Sequence, residues 1–158
     1  MVPYSDEFED RVVELIVSIQ RGEFAIDITE EQQPDLRSIP AYYQVGDGGF
    51  WLALSGESVV GTIALLDIDD GQAALRKMFV HPDFRGSEHR TAKRLLDELL
   101  DWATQRGLRE ILLGTTPFFH AAHRFYEKNG FREISKSALP ASFPIMTVDT
   151  KFYALRVE

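Results

Sequence analysis

Ala73-Ala74-Leu75-Arg76-Lys77-Met78-Phe79-Val80 runs through His81-Pro82-Asp83-Phe84-Arg85-Gly86 and Ser87-Glu88-His89-Arg90-Thr91 into Ala92-Lys93-Arg94-Leu95-Leu96-Asp97-Glu98-Leu99-Leu100-Asp101-Trp102-Ala103. The pattern of apolar residues changes along this stretch. Ala73 to Val80 is an apolar run behind the turn residues Asp69-Asp70-Gly71, which predicts a strand. From Ala92 the apolar positions recur at i, i+3, i+4 and i+7, which predicts a long amphipathic helix that Gly107 ends. A turn between strand and helix exposes the helix's first N–H groups at the positive end of its dipole. That is a ready-made phosphate site. Here it is surrounded by Arg85, Arg90, Lys93 and Arg94, with His89 able to add charge and the Ser87 and Thr91 hydroxyls able to donate. The bland alternative is a solvated basic helix face.

Outward from this centre the elements follow in order. Phe50 to Leu54 and Val59 to Ile68 read as two further strands, joined through Ser55-Gly56-Glu57-Ser58. Short turns between three strands imply an antiparallel meander. Phe8, Val12, Val13, Leu15, Ile16 and Ile19 predict an amphipathic helix over about residues 6–21. Thr29-Glu30-Glu31-Gln32 has the look of a capping box, so a second helix is expected to about Ile39. Downstream, Ile111-Leu112-Leu113 reads as a buried strand and His120 to Lys128 as a helix stopped by Asn129-Gly130. Phe131 to Ile134 and about Thr147 to Val157 complete the strands, with Pro140 and Pro144 in the loop between. The expected fold is α+β: a single mixed, mostly antiparallel central sheet flanked by helices, in one domain over residues 1–158.

Composition narrows the chemistry. The chain has no cysteine, which excludes disulfides, a cysteine-ligated zinc site and an acyl-cysteine intermediate. His81, His89, His120 and His123 are the only histidines, and their spacing with carboxylates matches no metal motif, so no metal site is expected. The net charge of −8 repels nucleic acid and anionic membrane, so neither is an expected partner. An acidic start without a basic and apolar leader gives a cytoplasmic expectation.

Four patterns stand in fixed order: the strand ending Val80-His81-Pro82-Asp83-Phe84-Arg85-Gly86, the amphipathic helix, the strand ending Leu113-Gly114-Thr115, and Ala122-His123-Arg124-Phe125-Tyr126-Glu127-Lys128-Asn129-Gly130-Phe131. In this the chain resembles the GNAT superfamily of acyl-CoA-dependent N-acyltransferases over about residues 50–135. The resemblance implies that acetyl-CoA is a co-substrate, with its pyrophosphate at Arg85, Gly86, Ser87, Glu88, His89, Arg90, Thr91 and Ala92. It implies that the strand Met78-Phe79-Val80 splays from its neighbour, bonds the pantetheine arm through backbone groups, and polarises the acyl carbonyl with the amide of Phe79 or Val80. Leu113, Gly114 and Thr115 would form the facing edge. It implies that Tyr126 protonates the departing thiolate. A phenol with a pKa near 10 is protonated at neutral pH and suits that role; the bland alternative is a core aromatic.

The chain departs from the family at several places. The loop Ser87-Glu88-His89-Arg90-Thr91-Ala92 is poor in glycine, with Arg90 where a glycine is usual and Glu88 adding a negative charge. Phe119 stands where the family often has asparagine, so that polar contact is lost or supplied by His120. No clear first strand precedes Phe8. Asp67, Asp69, His120, Glu30 and Glu31 are the candidate general bases, with a water-mediated base, or none, as the alternative, and Tyr42, Tyr43, Trp51, Phe118 and Phe143 are the pool for an acceptor pocket. The expected activity is direct acetyl transfer to a primary amine of a small molecule or peptide, by a monomer or homodimer. The alternative is a catalytically degenerate module that binds CoA as a regulatory or structural ligand.

Overall fold

The computed structural model describes residues 1–23, 29–86, 89–116, 120–146 and 149–157. Its strands are β1 (Val2–Pro3), β2 (Gly49–Ser55), β3 (Ser58–Asp67), β4 (Gln72–Val80), β5 (Glu110–Thr115), β6 (Arg132–Ile134) and β7 (Lys151–Arg156). They form one sheet in the order β1-β2-β3-β4-β5-β7-β6. Every neighbouring pair is antiparallel except β4 with β5. The helices are α1 (Glu9–Ser18), α2 (Ile39–Tyr42), α3 (Thr91–Gln105) and α4 (His120–Lys128). This is the mixed, mostly antiparallel α+β sheet that the residue pattern predicts.

The sheet has a core on each face. On one, Leu95, Leu96 and Leu99 of α3 pack with Ile63, Leu65, Leu113 and Tyr126. A side chain added at Gly61 would come within 2.9 Å of Leu95, so the missing Cβ lets α3 lie close on β3. On the other face, Val12 and Ile16 of α1 pack with Leu36, Ile39, Leu52 and Ala64. Each such buried leucine or isoleucine stabilises the fold by about 1.5–3 kcal/mol.

Four expectations need correction. The helix predicted over residues 6–21 begins as a 3-10 turn at Asp6–Phe8 and ends as a π turn at Ile19–Glu23. The helix predicted to Ile39 is two 3-10 turns, Glu30–Gln32 and Pro34–Arg37, followed by α2. Pro34 and Pro40 lack the N–H that a continuous helix needs, and each restricts the residue before it. A first strand does exist ahead of Phe8: Val2 pairs with Leu52 and Pro3 with Trp51. Two residues, one of them a proline, leave too little pattern to read. The last strand begins at Lys151, and Thr147 and Val148 lie outside the described residues.

One irregularity positions the site. Thr62 pairs with Phe79 and Ala64 with Arg76, so Ile63 opposes both Lys77 and Met78. Lys77 adopts φ +53, and the Thr62 hydroxyl donates to its carbonyl at 2.7 Å. This is a β-bulge, and a bulge bends its strand. The pairing of β4 with β5 is confined to Gln72↔Glu110, Ala73↔Ile111 and Ala74↔Leu112. Beyond Ala74 the strands part, and a wedge opens between the ends of β4 and β5.

Candidate active site

The wedge has one backbone wall from β4 and one from β5. Met78 and Phe79 are half-buried and Val80 is buried on the first; Leu113, Gly114 and Thr115 lie on the second. Past Ala74 the edge of β4 that faces β5 pairs with no strand among the described residues, so its polar groups are available to a ligand. The Arg85 Nε donates to the Val80 carbonyl at 2.8 Å, which ties the loop to the end of β4.

At the mouth of this wedge α3 begins. Its N-cap, Arg90, offers no side-chain cap, and the helix has no acidic residue in its first turn. Arg94 N–H makes the first intrahelical bond, to the Arg90 carbonyl at 2.9 Å. The N–H groups of the first turn therefore have no partner within the helix. The Thr91 hydroxyl, expected to face a phosphate, instead donates to the Phe84 carbonyl at 2.8 Å. Lys93 pairs with Asp97 at 2.8 Å one turn along. Gly86 and Arg90 both have positive φ, +100 and +53. Arg90 thus occupies the backbone conformation that favours the glycine it replaces. Ser87 and Glu88 lie outside the described residues, as do Phe118, Phe119 and the side chain of His120.

Tyr126 sits in the last turn of α4. Gly130 at φ +92 turns the chain back, and the Phe131 N–H donates to the Tyr126 carbonyl at 3.0 Å. This is a Schellman stop, and its usual hydrophobic contact is the Tyr126–Phe131 ring pair at 5.5 Å. The local physics of helix termination thus fixes the tyrosine ring, which also meets Tyr153 of β7 at 6.1 Å. Tyr126 is 6% exposed, and among the described residues its hydroxyl has no hydrogen-bond partner. Among the described residues no fully buried side-chain polar atom lacks a partner, so this hydroxyl reaches open space, where a ligand can meet it. Burial pushes its pKa well above the usual value, which keeps the proton on at neutral pH.

The other face of the wedge carries charge. The bulge sends Lys77 to Asp35 at 3.4 Å and to the Gln33 side chain at 2.7 Å. Tyr43 donates to the same Asp35 at 2.7 Å. Burial pulls the Lys77 ammonium below its usual pKa, and Asp35 opposes that. Arg76 next to it bonds the Tyr42 hydroxyl at 3.2 Å and the Met146 sulfur at 3.4 Å. Across the wedge a carboxylate reaches over β5: a Cβ built on Gly114 would meet Asp149 Oδ2 at 2.6 Å. Asp149 accepts from the Met146 N–H at 3.1 Å. Burial pushes its carboxyl above the usual range, while the Met146 N–H and Arg76 pull it down.

The predicted bases fare differently. Asp67 accepts from the N–H groups of Asp47 and Asp69, at 2.9 and 2.8 Å, and pairs with Ala73 at the closed end of the wedge. It builds a turn there, and Asp69 stands in that turn with φ +72. Glu31 is exposed, and the side chain of Glu30 is outside the described residues. From the aromatic pool, Tyr42 stands at the mouth, while Trp51 packs on Trp102 beneath α3 and Phe143 on Phe152. Asp149, Arg76 and Lys77 were not singled out from the sequence. The one signal for them is the adjacent pair Arg76-Lys77 inside an apolar strand, which breaks the alternation as a bulge does.

A profile of the acetyltransferase (GNAT) family matches residues 13–131. The chain belongs to that family. This acetyltransferase domain resembles a GNAT-family acetyltransferase from Staphylococcus aureus Mu50, with a TM-score of 0.94 and 38% identity over 99% of this chain and 98% of that one. An acetyltransferase from Streptococcus agalactiae 2603 superposes with a TM-score of 0.91 and 34% identity, over 96% of this chain and 94% of that one. The N-acetylaspartate synthetase of Danio rerio is 36% identical over 105 residues, 65% of this chain and 36% of that protein. The chain spans about a third of the length of that relative. Among the described residues no helix is long and apolar enough to cross a membrane.

Proposed function

We propose that this chain moves an acetyl group from acetyl-CoA directly to a primary amine. The observation that supports this most is the wedge: β4 leaves β5 beyond Ala74, and at its mouth lies the N-terminus of α3, whose first N–H groups have no partner within the helix. An extended pantetheine arm would add to the free edge of β4, as a strand does. The pyrophosphate would take the first N–H groups of α3, helped by Arg90 and Arg94. The amide of Phe79 or Val80 would polarise the thioester carbonyl. The family's acyl-CoA dependence supports acetyl-CoA as the donor.

The chemistry follows from the groups in place. The neutral amine attacks the carbonyl carbon, the C–N bond forms, and the C–S bond breaks. The thiolate takes its proton from Tyr126, which regains one from solvent. Asp149 receives the proton lost by the amine and returns it to solvent. Its burial favours the neutral carboxyl, which makes it a better proton acceptor than an exposed aspartate. The Danio rerio relative is named for a synthesis in which an amino acid is acetylated, and a small-molecule amine is the acceptor proposed here.

Calorimetry with acetyl-CoA tests the donor site. Binding that weakens as salt rises is expected, because the contacts are to phosphates. No heat and no thermal stabilisation at millimolar acetyl-CoA would remove both this reading and its rival, a module that binds CoA without turnover. Arg90 in place of a glycine is the feature that favours the rival. A panel of amines with free thiol as the readout separates the two.

A further inference from the structure

The strongest unexplained group is Arg76. Its side chain is half-buried, yet among the described residues no carboxylate lies within salt-bridge distance of it. Its two polar contacts are a 3.2 Å bond to the Tyr42 hydroxyl and a 3.4 Å contact to the Met146 sulfur. A thioether is a weak acceptor, and a guanidinium has five N–H donors to satisfy. The rings of Tyr42 and Tyr43, 5.9 and 6.0 Å away, hold it over the sheet. The neighbouring carboxylate, Asp35, is already bound by Lys77 at 3.4 Å and Tyr43 at 2.7 Å. Asp35 and the two tyrosines favour the charged guanidinium without a direct ion pair, and most of its donors are left for an anion from outside.

Position says which anion. Ala74 and Leu112 are the last paired residues of β4 and β5. Arg76 and Gly114 each stand two residues further on, so strand alternation places both on the same face of the sheet. Asp149 covers Gly114, and among the described residues it too forms no salt bridge. A cation and an anion therefore flank the wedge just beyond its closed end, close enough for Arg76 to lower the Asp149 pKa but not joined to each other. A ligand that carries both charges fits between them and adds no net charge. Tyr42 and Met146, 40% and 38% exposed, leave this face open to solvent.

We propose that the acceptor is a carboxylate-bearing primary amine of the amino-acid class, its carboxylate held by the Arg76 guanidinium and its amine directed toward Asp149 at the opening between β4 and β5. The carboxylate displaces the Met146 contact and gains the bidentate geometry that arginine offers. The Tyr42 hydroxyl turns to donate to the same group. Arg76 is then the residue that selects acids over amides. This inference rests on the N-acetyltransferase reading and narrows its acceptor.

The test compares amino acids with their own α-carboxamides as acceptors, using the full chain and saturating acetyl-CoA. Thiol release and the mass of the product are both read. The unmodified protein is expected to acetylate at least one amino acid about 100-fold more efficiently, in kcat/KM, than its amide, because the amide leaves a charged donor unpaired. Arg76→Gln should raise KM for the acid about 100-fold, leave the acetyl-CoA Kd unchanged and abolish the preference. Arg76→Lys should restore part of the preference, since it keeps the charge without the fork. Equal use of acid and amide by the unmodified protein, or acetylation only of amines without a carboxylate, overturns the inference and leaves acetyl transfer standing. Bound acetyl-CoA with no amino acid accepted also overturns it. Failure to bind acetyl-CoA overturns the reading beneath it.

Discussion

Arg90→Gly separates two roles that this arginine can have. At φ +53 the residue holds a left-handed conformation, which costs an L side chain about 1–2 kcal/mol. Glycine removes that strain but frees the unfolded chain by about 0.5–1 kcal/mol. The two nearly cancel, so the midpoint of urea unfolding should correspond to a stability change within about 1 kcal/mol. The effect on CoA is also a difference. Glycine lets the backbone come closer to the pyrophosphate, whereas an exposed cation is lost. An exposed ion pair contributes about 0–1 kcal/mol. At about 1.4 kcal/mol per tenfold, the Kd for CoA should stay within about fivefold of the parent. Its salt dependence should become shallower, since one charge fewer meets the phosphates. Calorimetry at two salt concentrations measures both. A loss of more than about 30-fold at unchanged stability would refute this reasoning and make Arg90 a direct phosphate ligand.

Tyr126→Phe should lower kcat by about 10²- to 10⁴-fold while acetyl-CoA affinity is kept, because the hydroxyl is proposed to act only as the thioester breaks and the ring still packs on Phe131. Parent-like turnover in stopped-flow thiol release would return Tyr126 to a packing role. With its pKa raised by burial, Asp149 should give kcat/KM an acidic limb above the usual carboxylate range: below it the base is protonated and the rate falls. Asp149→Asn should remove that limb, and a limb that persists in the variant assigns it to another group. The Lys77–Asp35 pair, with side chains 6% and 8% exposed, tests the bulge. Lys77→Met leaves Asp35 buried beside no paired cation and should cost about 3–5 kcal/mol in denaturant unfolding. The double variant Lys77→Met/Asp35→Leu should recover at least half of that, and strict additivity of the two changes would count against coupling.

The parts of the fold that could be read ahead are those whose signal is local. The period change at Thr91 to Ala92 marks where β4 gives way to α3, and the meander is bounded by turn residues whose observed φ angles are positive, such as Asp69, Asp70 and Gly71. The tyrosine is legible for a related reason: Asn129-Gly130-Phe131 encodes a helix stop, and that stop fixes Tyr126. What could not be read depends on contacts between distant segments. β1 is two residues long and is recognisable only by its pairing with Leu52 and Trp51. Arg76 looks like a surface residue until α2 and the loop before β7 enclose it. Asp149 lies in a loop whose sequence says nothing of Gly114, 35 residues earlier (149 − 114), which leaves space for its carboxylate. Carboxylates chosen for their place in the sequence, Asp67 and Asp69, build the turn at the closed end instead.

The wedge is proposed to carry acetyl from sulfur to nitrogen. This is tested most directly by incubating the full chain with carbon-13-labelled acetyl-CoA and a pool of amino acids, then reading free CoA and labelled amide by mass spectrometry. Labelled N-acetyl product is expected in equal amount to the CoA released, with both lost together in Tyr126→Phe. Acetyl-CoA that binds but stays intact, or thiol released with acetate and no amide, would contradict the proposal.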